Sequence, residues 1–105
     1  MLLANWNIEE ETGYKPITSF YTDFSIADMF GKNAIEDTFK RAFNEWKTDY
    51  KYLTELVMVM SWKTFEHQEN IEYARLYTEL YEKADSYAIK NLKGSELEYF
   101  YRTTD

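Results

Sequence analysis

Five consecutive apolar residues, Leu56-Val57-Met58-Val59-Met60, sit at the middle of the stretch Lys51 to Gln68, KYLTELVMVMSWKTFEHQ. A helix through this run is apolar on every side. Such a helix cannot lie on a surface and has to be covered by neighbours on several faces. The rest of the chain must supply those neighbours. At 105 residues it is long enough for one core and not for two.

The flanking patterns are helical. From Ile17 to Phe30, apolar residues fall at Phe20, Phe24, Ala27 and Phe30, with Ile26 and Met29 beside them. Ser25 and Asp28 offer a capping-box-like start partway along, and Gly31 supplies a stop. Asn33 is the next N-cap candidate, ahead of Glu36 and Asp37 in a first turn. Ile35, Phe39, Ala42, Phe43 and Trp46 then repeat as a broad aromatic stripe. Thr48-Asp49 favours caps over helix interiors, so the spacing predicts a break near 48–50, with one continuous long helix as the alternative.

The central helix is expected to run to about Gln68. Leu53, Leu56, Val57, Met60 and Thr64 form one face, and Met58, Val59, Trp62 and Phe65 widen it. Met58→Asp is expected to be severe, because it places a charge in the all-apolar run. Asn70 caps a further helix over Ile71–Leu92, whose inner face carries Tyr73, Tyr77, Leu80, Ala84, Tyr87 and Ala88, with a Glu79–Lys83 pair outside. Gly94 ends it, and Ser95 with Glu98 reads as a capping box opening a short terminal helix to about Arg102. Strand-like alternation is absent. The expected fold is all-α, a small helical bundle of three main helices with short helices near both ends. Residues 17–105 form a single helical domain. Residues 1–16 are irregular in pattern and read as an N-terminal arm, either poorly ordered or strapped on through Leu2, Leu3, Trp6 and Ile8.

Most chemistries are refused. Cysteine is absent, which removes disulfides, thiolate metal sites and cysteine nucleophiles. The single histidine, His67, stands beside Glu66. A di-iron bundle needs two Glu-x-x-His units, but Thr64 occupies the position three residues before His67 and no second histidine exists. There is no Gly-x-Ser-x-Gly elbow, no phosphate-cradling glycine loop and no dinucleotide fingerprint. No catalytic, cofactor-binding or metal-binding residues are expected, and the chain is read as a non-enzyme. A hydrolase using His67 with a nearby carboxylate is the residual alternative.

A net charge of −7 argues against direct nucleic-acid binding, which requires a basic footprint. The opening MLLANWNIEEE has no basic start and turns acidic at once, unlike a signal peptide. No run approaches the roughly 18 apolar residues of a membrane span. A cytoplasmic location is expected. What remains is surface. Ten tyrosines, seven phenylalanines and three tryptophans are hard to hide in one small domain, which points to a protein partner, a homodimer included. Tyr73, Tyr77 and Tyr81 step by four along one flank, as core packing or as an interface. Around them lie Glu72, Glu79 and Glu82, within an acidic set that also takes in Glu66, Glu69 and Asp85. That set is either a solvated face or an imitation of the phosphate array of DNA, directed at a nucleic-acid-binding protein.

The runs FKRAFNEWKTDYKYLTELVMVMSWKTFEH and ARLYTELYEKADSYAIKNLKGSELEYFYRTTD resemble a group of small uncharacterised proteins of phages and prophages of Gram-positive gut bacteria. The resemblance spans roughly residues 33–105. Its distinctive pieces are Tyr52-Leu53-Thr54-Glu55-Leu56-Val57, Asn91-Leu92-Lys93-Gly94 and Tyr101-Arg102-Thr103-Thr104-Asp105. The group has no established activity, so the resemblance implies a setting inside a bacterial host and no site residues. The resulting expectation is a non-catalytic interaction module of phage type. The alternative is an acidic inhibitor that blocks a host defence or replication protein.

Overall fold

The computed structural model describes residues 17–104, and the arm expected over residues 1–16 lies outside them. Among the described residues the chain forms helices only: α1 (Ile17–Phe30), α2 (Lys32–Trp46), α3 (Tyr50–Glu66), α4 (Ile71–Asn91) and α5 (Ser95–Thr104). Their lengths of 14, 15, 17, 21 and 10 residues grade into one another, with α1 almost equal to α2.

The all-apolar run takes the central place its composition demands. Helix α3 packs against each of the other four. Leu53, Leu56, Val57, Val59 and Met60 are fully buried. Around them, Phe39 stacks on Phe43, Tyr87 meets Phe43 edge-on, and Trp46 lies against Tyr52. On the other side, Phe20 meets Tyr52 and Phe24 meets Tyr77, both edge-on. Ala84 and Ala88 have no exposed surface, so α4 comes close to its neighbours there. Tyr50 meets Tyr99 and Phe100 is buried, which docks α5.

The boundaries follow local chemistry, with three corrections. Helix α1 is helical from Ile17, not from Ser25. Asn33 is not a cap, because α2 already begins at Lys32. Gly31 joins α1 to α2 with no loop between them: its N–H donates to Ala27 and its carbonyl accepts from Ile35. Its φ of 109° and ψ of −177° suit glycine. The break at 48–50 forms, with the Asp49 carboxylate accepting from the Lys51 N–H at 3.1 Å. Asn70 caps α4 through the Tyr73 N–H. The third correction is at α5. Gly94, with φ of 62°, supplies the first backbone acceptor, for Glu98. Ser95 therefore lies inside the first turn rather than at its cap.

Two side chains read as widening the core do not. Trp62 is half exposed, and Phe65 is 70% exposed. Lys83 turns toward the Phe43 ring, 5.8 Å from its centre, rather than pairing with Glu79. No helix among the described residues is long and apolar enough to cross a membrane.

Candidate functional site

The residue that sequence reasoning passed over is Lys63. It lies one helical turn beyond Val59 and two beyond Leu56 on α3, so the helix carries it into the interior, where 2% of its side chain is exposed. A buried ammonium needs charged partners. Lys63 Nζ finds Asp28 Oδ2 at 2.7 Å, Glu66 Oε1 at 3.1 Å and Ser25 Oγ at 3.2 Å. Asp28 and Ser25 come from α1, on the face that α1 turns to α3.

Asp28 is the hub of this network. Besides Lys63 it accepts from the Tyr77 hydroxyl at 2.6 Å on Oδ1, and it meets His67 Nε2 at 3.0 Å on Oδ2. His67 is the C-cap residue of α3 and stacks on the Tyr77 ring, 5.5 Å away and 5° from parallel. Glu66 is the second carboxylate, accepting from Lys63 and from the Tyr21 hydroxyl. Three helices are thereby tied through polar groups at one end of the core.

The electrostatics are self-consistent. Burial pushes the Asp28 carboxyl up, but hydrogen bonds from Lys63, Tyr77 and His67 outweigh it and hold Asp28 below the usual carboxylate range. Glu66 is likewise held low: burial raises it, and Tyr21 and Lys63 more than compensate. For Lys63, burial disfavours the cation, yet the bonds to Asp28 and Glu66 raise its pKa above the ordinary lysine value. Tyr77 is held firmly protonated by burial and by donating to Asp28.

Two carboxylates thus face one ammonium. The arrangement engages each of its acids. His67 does meet a carboxylate, as a hydrolase reading requires, but that carboxylate is already bound by Lys63 and Tyr77. Ser25 Oγ accepts from Lys63, whose ammonium is held protonated by Asp28 and Glu66 and so offers the hydroxyl no base. Among the described residues no grouping of three or more histidines and acids could hold a metal ion.

The tyrosine series divides. Tyr77 is fully buried and offers a partner no surface, Tyr73 is half-buried against His67, and Tyr81 is half-buried beside Val57 and Met58. Glu72, Glu79 and Glu82 are exposed. The structure brings Tyr77 and Glu66 into one network, while the three exposed glutamates take no part in it.

Next to the network, the surface opens into a hollow lined by Tyr21, Ser61, Trp62, Phe65 and Glu66, mostly apolar in character. A second depression, with Met58, Ser61, Trp62, Tyr81 and Thr104, lies on the other side of Trp62. Trp62 therefore stands as a ridge between two concavities. Comparison with protein-family models, curated proteins and solved structures finds no match to this chain.

Proposed function

We propose that the chain is a small protein-interaction module without catalysis of its own, of the phage and prophage type its sequence resembles, acting in the cytoplasm of a bacterial host. One observation carries this reading: large apolar side chains stand out from well-formed helices while the polar groups around Lys63 are engaged with one another. Met29, Phe30, Phe65 and Ile71 are each exposed by two thirds or more, and Trp62 by 46%. Scattered single apolar residues on a surface need no explanation. Here Trp62 and Phe65 share one hollow, and a half-exposed tryptophan beside a concavity has the character of a binding hot spot.

The test compares the chain with a Trp62→Ala/Phe65→Ser variant in capture from a Gram-positive bacterial lysate at two salt concentrations. The expected result is a discrete partner retained by the parent and lost by the variant, with the variant still melting cooperatively above the temperature of the capture. Equal retention by both would move the interface away from this hollow. The nucleic-acid-imitating inhibitor is the competing reading, built on exposed Glu72, Glu79 and Glu82. It predicts instead a basic partner that DNA or salt displaces, and that a Glu72/Glu79/Glu82 to Gln variant no longer binds.

A further inference from the structure

The hollow beside the buried network has an unusual lining. Three of its five side chains are aromatic, Tyr21, Trp62 and Phe65, and a fourth is the carboxylate Glu66. The Tyr21 and Trp62 rings stand 6.4 Å apart and 73° from parallel, so they form the two walls of a corner. Phe65 follows Trp62 by nearly one helical turn and so projects from the same side of α3.

Aromatic faces carry negative quadrupole density, and rings meeting at a corner around a nearby carboxylate attract a cation. Tyr21 already acts in this way: the buried Lys63 ammonium lies 4.9 Å from its ring centre. That lysine is shared between two carboxylates, Asp28 and Glu66. Glu66, the more exposed of the two acids, brings its carboxylate to the hollow's edge. An apolar ligand would use the rings and not the carboxylate at the hollow's edge.

We infer that the hollow is an aromatic cage for a cation, and that its occupant is the ammonium or guanidinium head of a lysine or arginine of the partner protein. This rests on the interaction reading above and adds the chemistry by which the partner is held. The Glu66 carboxylate supplies the charge, Trp62 and Phe65 supply the open rings, and Ser61 leaves room at the rim.

The experiment is an NMR titration of the intact chain with arginine amide, with tetramethylammonium, and with 3,3-dimethyl-1-butanol as an uncharged bulky control. The readout is the Trp62 indole N–H resonance, assigned by its loss in Trp62→Phe. The expected result is a saturable shift with both cations and a much weaker one with the alcohol. Phe65→Leu keeps an apolar side chain but removes a ring. It should weaken the cations about two- to fivefold and leave the alcohol unchanged. Because Phe65 is exposed, this variant is expected to melt with the parent. Equal response to the alcohol, or no saturable response to either cation, would overturn the cage. In the capture experiment, a partner retained equally by Phe65→Leu and by Glu66→Gln, but lost by Trp62→Ala/Phe65→Ser, would overturn the cage and leave the interaction reading standing. Saturable cation binding by a chain that captures no protein would overturn the partner as the source of the cation.

Discussion

Lys63 Nζ and Asp28 Oδ2 lie 2.7 Å apart near the C-terminal end of the central helix, joining α3 to α1 with 2% of the lysine exposed. Removing one member leaves the other buried and short of a partner. Lys63→Met and Asp28→Asn should each cost about 3 kcal/mol, the lower end of the range for broken buried pairs. The double variant should lose well below the sum, with a coupling of about 2 kcal/mol. Urea denaturation of the four proteins measures this cycle, and additivity within error would show that the pair does not stabilise the fold as a unit.

The same network fixes how stability responds to acid. Asp28 and Glu66 have folded pKa values held below their unfolded ones. Their contribution is therefore complete above the unfolded carboxylate range, about pH 4, and is lost as pH falls through the lower folded values. Lys63 has the opposite sense, raised in the fold, so its contribution is complete below about pH 10 and disappears on raising pH through the folded value. Asp85, raised by burial, opposes the acid trend. Urea midpoints measured across pH 2–5 (a range set by about the free carboxylate values) should fall steeply for the parent and more gently for Asp28→Asn. Parallel curves would mean that Asp28 has no special share in acid unfolding.

A contrast within the apolar run separates buried from merely apolar. Met60 has no exposed surface, while Met58 is half-buried at the depression it shares with Trp62 and Tyr81. The severe effect expected for Met58→Asp therefore belongs to Met60→Asp, whose charge has no route to water. Met60→Asp should abolish cooperative melting. Met58→Asp should leave it intact, with a loss of about 1–3 kcal/mol. Thermal unfolding followed by circular dichroism distinguishes them.

These cases show what the sequence made legible. The run from Leu56 to Met60 forces a central helix because no single apolar face can satisfy it, and α3 indeed touches every other helix. Gly31, Asp49 and Asn70 mark boundaries because each solves a local backbone problem within three or four residues. Lys63 was legible only in part. Its spacing from Leu56 and Val59 places it on a buried face, but its partner Asp28 belongs to another helix, and no local pattern pairs them. The exposure of Trp62 and Phe65 lies beyond local pattern for the same reason. Helical spacing says which residues share a side, whereas cover on that side depends on how α1 crosses α3, which is a tertiary matter.

Capping gives a sharper local test, because one expected cap forms and another does not. The Asp49 carboxylate accepts from the Lys51 N–H, so Asp49→Ala should cost about 1 kcal/mol. Ser95, inside the first turn of α5, has the residue type of a cap without its position. Ser95→Ala should change stability by less than about 0.5 kcal/mol. Urea midpoints for the two single variants decide it. Equal losses would place a cap at Ser95 after all.

Gly31 tests how tightly α1 and α2 are joined. A Cβ built there meets nothing within 4 Å, so packing does not forbid a side chain. The backbone does, because φ of 109° lies where residues with a Cβ are strained. Gly31→Ala should therefore cost about 1–3 kcal/mol from conformation alone. Gly94, at φ of 62°, lies in the left-handed region that asparagine tolerates. Gly94→Asn should be milder than Gly31→Asn at an equally open site. If the two asparagine variants melt together, the hinge between α1 and α2 relaxes away from the glycine-only geometry, and the angle that sets Asp28 against Lys63 is fixed by the network itself.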